Sequence, residues 1–171
     1  MRAHLISNKV IIKDEKEANL LFNKGNYGSL EKGKLTLSLV EALYLVENGK
    51  LEVYDWRDNL VGFDALLKKA NRLEKRLWVR FCVYRDIRKR GYITKTALKY
   101  GADFRVYDRG DVPGKQHAKW VLFAVNENDS FDWKKFAAMN RVAHSVKKKL
   151  LVGIVDDEGD VTYYEVQWRR P

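Results

Sequence analysis

The feature that most limits the fold is one long helical segment near the middle of the chain. Between Phe63 and Arg90, apolar side chains recur every three or four residues: Leu66, Leu67, Ala70, Leu73, Leu77, Phe81 and Tyr84. This segment separates two regions of shorter patterns, each long enough to bury a small core. We therefore predict two domains, residues 1–77 and 78–171, whose boundary lies within this helical segment. The same pattern is compatible with one continuous helix or with a helix that contains a break.

The first region alternates strand and helix patterns. Leu5 to Ile12 is typical of a strand pair interrupted at Ser7, and Asp14 is a typical helix N-cap. Ser38 followed by Glu41 has the spacing of a capping box, which predicts a helix that runs to Gly49. The alternation predicts a small α+β domain.

The second region begins and ends with strand patterns and contains one further helical pattern. The predicted helix covers Asp132 to Lys148. The predicted strands are Tyr92 to Lys95, Phe104 to Tyr107, Ala118 to Val125, Leu150 to Val155 and Val161 to Trp168. A mixed or antiparallel sheet follows from this order, so the fold class of the whole chain is predicted to be α+β.

The charge of the chain favours a polyanionic partner. The 171 residues carry a formal net charge of +10 at pH 7. Residues 76–171 contain 20 Lys and Arg against 12 Asp and Glu, so most of the excess lies in the second region. Clustered cations neutralise phosphates and release counterions, which favours RNA, DNA or an anionic membrane as partner, bound through the second region.

Cysteine usage and hydropathy exclude several classes of protein. A single cysteine, Cys82, rules out an internal disulfide, and no cysteine–histidine cluster has the spacing of a zinc site. The sequence shows no signal peptide pattern at Met1 and no apolar run of the roughly 20 residues that cross a membrane. We expect a soluble cytosolic protein without a metal or cofactor.

The basic region contains three candidate sites: Tyr107, His117 and a lysine triplet, Lys147 to Lys149. Taken singly, each has an ordinary structural interpretation, which for the triplet is a helix C-terminus whose dipole attracts cations. Two other histidines compete with His117. His144 is predicted to be a hydrogen-bonded structural residue within a helix, and His4 to lie near a mobile terminus.

Taken together, these residue types match one chemistry. Cleavage of RNA by its own 2′-hydroxyl needs a base for that proton, an acid for the 5′-oxygen and a cation for the phosphorane charge. Tyrosine, histidine and lysine can supply all three functions without a metal ion. The set therefore indicates a metal-independent RNA-cleaving enzyme.

Several segments resemble the archaeal tRNA-splicing endonuclease, and together they span nearly the whole chain. The resemblance is carried by Leu37–Leu45, by Tyr92–Tyr107 with its Gly101-Ala102-Asp103-Phe104-Arg105-Val106-Tyr107 ending, by His117, by Arg141–Lys149, by the acidic turn Asp156–Asp160 and by Val161–Tyr164. One departure is Ala118, where the family often has serine. The implied fold is an N-terminal α+β domain followed by a nuclease-like α/β domain with a mixed sheet.

The resemblance implies a role for each candidate residue. Tyr107 is the implied general base, His117 the general acid and Lys148 the stabilising cation, although within the lysine triplet the assignment could slip by one. Arg141 occupies the position of a cation that holds a flipped bulge base. The implied reaction cuts precursor tRNA at a bulge-helix-bulge, without a cofactor, and leaves a 2′,3′-cyclic phosphate and a 5′-hydroxyl.

An acidic turn in a basic region has two interpretations. Asp156, Asp157, Glu158 and Asp160 crowd one hairpin tip, where they suit a tight solvated turn. The resemblance implies instead that this tip inserts into a basic groove of a neighbouring subunit and so builds a homotetramer.

Three other functions stay open from the sequence. The chain could be a catalytically silent subunit of the same assembly, or a basic RNA-binding module with a winged hairpin over Ile87 to Tyr107. It could also be a metal-dependent nuclease that uses Asp103.

Overall fold

Local capping interactions determine where the first two helices begin. In this computed structural model, which describes residues 1–169, Asp14 Oδ1 accepts a hydrogen bond of 2.8 Å from the Glu17 amide and caps helix α1 (Glu15–Gly25). Ser38 and Glu41 form a reciprocal capping box that begins helix α2 (Leu39–Glu47). Both predicted caps are confirmed.

The capping box also fixes a buried carboxylate. Glu41 is 4% exposed, and its carboxylate accepts hydrogen bonds from the Ser38 amide (2.9 Å), the Ser38 hydroxyl (2.7 Å) and the Gly28 amide (2.7 Å). We expect Ser38→Ala to lower the free energy of unfolding by about 1 kcal/mol, because it removes the cap and one partner of this carboxylate. Urea unfolding measures the change. A loss below about 0.3 kcal/mol, within the range of a neutral surface substitution, would contradict this account.

The first sheet has six strands: β1 (Arg2–Ile6), β2 (Lys9–Ile12), β3 (Ser29–Glu31), β4 (Lys34–Leu37), β5 (Glu52–Tyr54) and β6 (Leu60–Val61). Their order in the sheet is β3-β4-β2-β1-β5-β6. Strands β1 and β5 pair in parallel, whereas the other neighbours pair antiparallel. His4 lies within β1, and its Nε2 is 3.1 Å from Asp58 Oδ1. The expectation of a mobile terminus at His4 is therefore wrong.

The long helical segment contains a break. Helix α3 (Phe63–Leu73) ends before Glu74, and helix α4 (Leu77–Lys89) begins after Arg76, which has a φ of 59°. Arg80 is 5% exposed and its Nη1 lies 2.6 Å from Glu74 Oε2, so an ion pair spans the break. The chain divides into two compact units, Met1–Phe81 and the part from Cys82 onward. The domain boundary at residue 77 stays a prediction.

The second sheet has five strands: β7 (Ile93–Thr96), β8 (Phe104–Tyr107), β9 (Trp120–Asn126), β10 (Lys149–Val155) and β11 (Val161–Val166). Their order in the sheet is β11-β10-β9-β8-β7. Strands β9 and β10 pair in parallel, and the other neighbours pair antiparallel. The predicted mixed sheet and the α+β fold class are confirmed.

A helix packs against each face of the second sheet. Helix α5 (Trp133–Ser145) buries Met139 and Ala143 against Val121 and Leu150. On the opposite face, the Tyr84 ring of α4 lies 5.7 Å from the Phe104 ring, centroid to centroid. Successive residues of a strand point to opposite faces of the sheet, and Phe104 faces α4. Residues 105 and 107 of β8 therefore lie on the face toward α5, which contributes to the site described next.

Candidate active site

Strand directions bring the three catalytic candidates to one edge of the second sheet. Tyr107 is the last residue of β8, which runs antiparallel to β9. Strand β9 begins at Trp120, shortly after His117, and pairs in parallel with β10, which begins directly after Lys148. The end of β8 and the beginnings of β9 and β10 therefore coincide. We call this part of the molecule, with Tyr107, His117, Lys119, Lys148 and Lys149, the cationic edge.

Tyr107 and His117 differ in their exposure to solvent. Tyr107 is 5% exposed and pairs with Ile93 of β7, so its phenol is attached to a rigid element. His117 is exposed in the loop between β8 and β9. A hydrogen bond of 2.7 Å from the Val112 amide to Gln116 Oε1 braces that loop directly before His117. A buried phenol and an exposed imidazole can exchange protons with different atoms of one ligand.

The lysine triplet does not continue helix α5. The helix ends at Ser145, Lys147 adopts a left-handed φ of 53°, and Lys149 is already the first residue of β10. The prediction of a helix up to Lys148, with the triplet at its C-terminus, is wrong for this reason.

Lys148 points back to the residue that follows His117. Its Nζ donates a hydrogen bond of 2.9 Å to the Ala118 carbonyl. Burial and, to a smaller extent, the positive charge of Arg105 lower the pKa of Lys148 from its ordinary value. An ammonium in such surroundings gains more than a solvated one from an approaching anion.

Lys149 differs from Lys148 because a carboxylate neutralises it. Its Nζ lies 2.8 Å from Glu165 Oε1, and Glu165 also accepts hydrogen bonds from Trp120 Nε1 (2.7 Å) and Gln167 Nε2 (3.0 Å). The bonds to Lys149, Trp120 and Gln167 lower the pKa of Glu165 to about 2. Among the three lysines, Lys148 is the one that is both partly buried and directed at the His117 segment.

A basic cleft opens beside these side chains. It has a volume of about 550 Å³ and is lined by Ala118, Lys119, His144, Lys147, Lys148 and Lys149. Lys119 forms an ion pair with Asp108, which lowers the pKa of that carboxyl and raises the pKa of the Lys119 ammonium. The density of cations suits a phosphate backbone.

His144 is not the structural histidine that the sequence favours. It is exposed in the last turn of α5, and its ring lies 5.1 Å from the Trp168 ring, centroid to centroid. The prediction of a hydrogen-bonded structural histidine is wrong, because His144 lies on the solvent side of α5, next to Ala143 on the buried side.

Arg141 lies along α5 from His144 and faces a second cleft. That cleft also measures about 550 Å³, and its lining includes Phe136, Arg141, His144 and Trp168. Arg141 and Trp168 are both exposed, so a flat group could enter between a guanidinium and an indole. The sequence offered no signal for Trp168, which follows β11 along the chain and approaches α5 only in the fold.

The side chains of the acidic hairpin tip, Asp156 to Asp160, have different roles. Asp156 Oδ1 accepts hydrogen bonds from the amides of Glu158 (3.0 Å) and Asp160 (2.9 Å), so this carboxylate stabilises the turn itself. The Asp157 amide donates to Glu127 Oε1 at 3.0 Å. Asp157, Glu158 and Asp160 are exposed, although Asp157 Oδ1 also accepts a long hydrogen bond of 3.4 Å from Asn128 Nδ2.

Asp103 has a structural role. It is 6% exposed, and its Oδ2 accepts a hydrogen bond of 2.9 Å from the Ala124 amide of β9. Within residues 1–169, no group of three or more His, Cys, Asp or Glu side chains is arranged to hold a metal ion. In the same range, no helix is long and apolar enough to cross a membrane.

An α+β fold with a cationic edge and two adjoining clefts defines a protein suited to a polyanionic ligand. Comparison with known families gives a narrower class. A family model for the tRNA intron endonuclease catalytic C-terminal domain matches residues 77–163, and one for the N-terminal domain of the same family matches residues 1–67. The chain therefore belongs to the tRNA intron endonuclease family.

Individual relatives agree over nearly the full length. A protein of Methanothermobacter thermautotrophicus named tRNA-splicing endonuclease is 44% identical over 162 residues, which cover 95% of this chain and 94% of the relative. Proteins with the same name from Pyrococcus horikoshii and Nanoarchaeum equitans are 41% and 45% identical, over 96% and 79% of this chain and 94% and 90% of their own lengths. The resemblance recognised from the sequence is confirmed.

Proposed function

We propose that this protein cleaves precursor tRNA at bulge-helix-bulge intron junctions and leaves a 2′,3′-cyclic phosphate and a 5′-hydroxyl. The observation that carries the proposal is the position of Tyr107, His117 and Lys148 at one edge of the second sheet, in a member of this endonuclease family. The Lys148 hydrogen bond to the Ala118 carbonyl supports the same grouping.

In the proposed reaction, the phenolate form of Tyr107 accepts the proton of the 2′-hydroxyl. The 2′-oxygen attacks phosphorus, the bond from phosphorus to the 5′-oxygen breaks, and His117 gives its proton to that leaving oxygen. Lys148 stabilises the extra negative charge on the phosphorane. Proton and electron pairs balance without a metal ion or cofactor, and each proton-transfer group supplies a factor of about 10²–10⁴ in rate.

The two clefts suggest how RNA binds. The basic cleft has the cations to follow a phosphate backbone, while Arg141 and Trp168 in the second cleft suit an unpaired base. Bulged nucleotides provide such bases, and a fully paired helix does not. A substrate with bulges beside a helix therefore engages both clefts.

The proposed assembly is a homotetramer. Asp157, Glu158 and Asp160 are exposed on a turn that Asp156 holds in shape, so the tip can enter a basic groove on a second copy of the chain. Strand β11 is at the edge of its sheet, and its exposed Tyr164 suits a separate hydrophobic contact.

Cleavage of a defined RNA tests the proposed function. We expect the purified protein alone to cut a bulge-helix-bulge RNA at both bulges and to leave a fully paired RNA of the same length intact. A silent structural subunit would bind or assemble without cutting. A simple basic RNA-binding module would retain both RNAs by charge and cut neither, and either result would refute the proposal.

A further inference from the structure

Arg105 lies on the same face of β8 as Tyr107. Residues two apart on a strand share a face, so Arg105 and Tyr107 both point toward the α5 side, while Phe104 and Val106 point away. Arg105 pairs with Val121 of β9, and Val121 pairs with Leu150 of β10. Lys148 precedes Leu150 by two residues, which directs it to this face as well.

Among residues 1–169, the Arg105 side chain has no counterion. Its Nε is buried without a hydrogen-bond partner, and the side chain is half-buried. Its guanidinium carbon lies 5.7 Å from the centroid of the Tyr100 ring. Within residues 1–169, neither Arg105 nor Lys148 forms an ion pair. A partly buried hydrogen-bond donor without an acceptor lowers the stability of the fold unless a ligand accepts its hydrogen bond.

The neighbouring lysines at the cationic edge have counterions. Lys119 pairs with Asp108, and Lys149 pairs with Glu165. Arg105 and Lys148 are instead close enough for the positive charge of Arg105 to contribute to the lowered pKa of Lys148. Two adjacent cations that repel each other are stabilised when an anion binds between them.

We infer that Arg105 is a further substrate-contacting residue, whose guanidinium holds a non-bridging oxygen of the RNA phosphate together with Lys148. The inference rests on the proposed function and adds a fourth residue to its site. A guanidinium suits this role because its planar donors match phosphate geometry. The competing interpretation is structural, with the Arg105 stem merely packed on Tyr100.

The first test measures cleavage by Arg105→Gln and Arg105→Lys under single-turnover conditions. We expect Arg105→Gln to slow cleavage by about 10²-fold, as for loss of one oxyanion donor, and Arg105→Lys to recover part of the rate. The matched control is Arg88→Gln on α4, a half-buried arginine whose guanidinium carbon lies 6.0 Å from the Tyr84 ring centroid. It should cut at the wild-type rate.

Substrates with a single phosphorothioate at the cleavage site separate contact from structure. In the wild type, the two diastereomers should react at different rates, and in Arg105→Gln this difference should shrink. An unchanged difference, or wild-type cleavage by Arg105→Gln, would overturn the inference while leaving the proposed function intact. Loss of cleavage by the wild type and Arg88→Gln would instead refute the proposed function.

A measurement without RNA tests the inference even if the wild-type protein does not cleave the RNA. The ¹⁵Nζ resonance of Lys148 is titrated by NMR in the wild type and in Arg105→Gln, with and without inorganic phosphate. Removal of Arg105 should raise the pKa of Lys148 and weaken its response to phosphate, because a repelling cation and an anion ligand are both lost. An equal pKa and an equal response in the two proteins would show that Arg105 and Lys148 do not form one anion site.

Discussion

We expect His117→Ala and Lys148→Ala each to slow single-turnover cleavage of precursor tRNA by at least about 10²-fold, with little change in RNA affinity. His117 is the proposed donor to the leaving oxygen. The Lys148 side chain contacts the segment that carries His117, because its Nζ donates a hydrogen bond to the Ala118 carbonyl. Rates at saturating protein, together with separate measurements of Kd, distinguish catalysis from binding.

Lys147→Gln is the matched control for Lys148. It removes one positive charge from the residue that directly precedes Lys148. Lys147 is exposed and, among the described residues, forms no side-chain hydrogen bond to the segment that carries His117. We expect it to weaken affinity at low salt more than the saturated rate. His144→Ala should leave the free energy of unfolding nearly unchanged, because His144 is exposed. Parallel losses of affinity and rate in His117→Ala and Lys148→Ala would reassign both residues to phosphate binding.

We expect the variant Asp157→Lys/Asp160→Lys to stay folded, to sediment as a dimer and to lose most of its cleavage activity. Both side chains are exposed, and the turn itself depends on Asp156, so the substitution spares the local structure. In the proposed tetramer, reversing their charge turns attraction to a basic groove into repulsion. Sedimentation velocity and single-turnover cleavage measure the two effects.

A charge-matched control separates docking from net charge. Glu31→Lys/Glu52→Lys makes the same change of charge at exposed strand positions of the first unit. It should sediment as the wild type does. If the proposed tetramer forms through this tip, high ionic strength should shift the wild type toward the dimer, as the hairpin substitutions do. A hairpin variant that stays tetrameric and fully active would leave the tip as a solvated turn.

Local signals in the sequence predicted much of the fold. Asp14 and the Ser38–Glu41 box act within three residues, so their hydrogen bonds depend little on the rest of the chain. Strand β8 begins and ends where its apolar pattern does. The pairs of the first sheet were harder, because β6 has only two residues and β3 only three, too short for a period to emerge.

The predicted end of α5 was wrong because the helical spacing of apolar residues continues beyond the last helical residue. Val142 and Val146 keep helical spacing, which suggested a helix up to Lys148, yet Lys147 turns left-handed and β10 starts at Lys149. The histidines were misjudged because a sequence position does not give exposure. His4 is held in a central strand, and His144 faces solvent.

The charge state of the site depends on contacts between distant residues. Glu165 reaches Lys149 across 16 residues, and the Lys148 bond to Ala118 spans 30 residues. Neither contact can be read from spacing, although together they distinguish Lys148 within the triplet. Arg105 did carry a signal, since its position two residues before Tyr107 on a strand implies a shared face.

The chemistry of the cut ends, measured in excess chelator, tests the central claim most directly. If Tyr107, His117 and Lys148 carry out the reaction, a bulge-helix-bulge RNA incubated with the protein and EDTA is cut at an undiminished rate. Its fragments then carry 2′,3′-cyclic phosphate and 5′-hydroxyl ends. Strict dependence on Mg²⁺, or fragments with a 5′-phosphate, would contradict the account, because attack by the 2′-oxygen cannot leave that end.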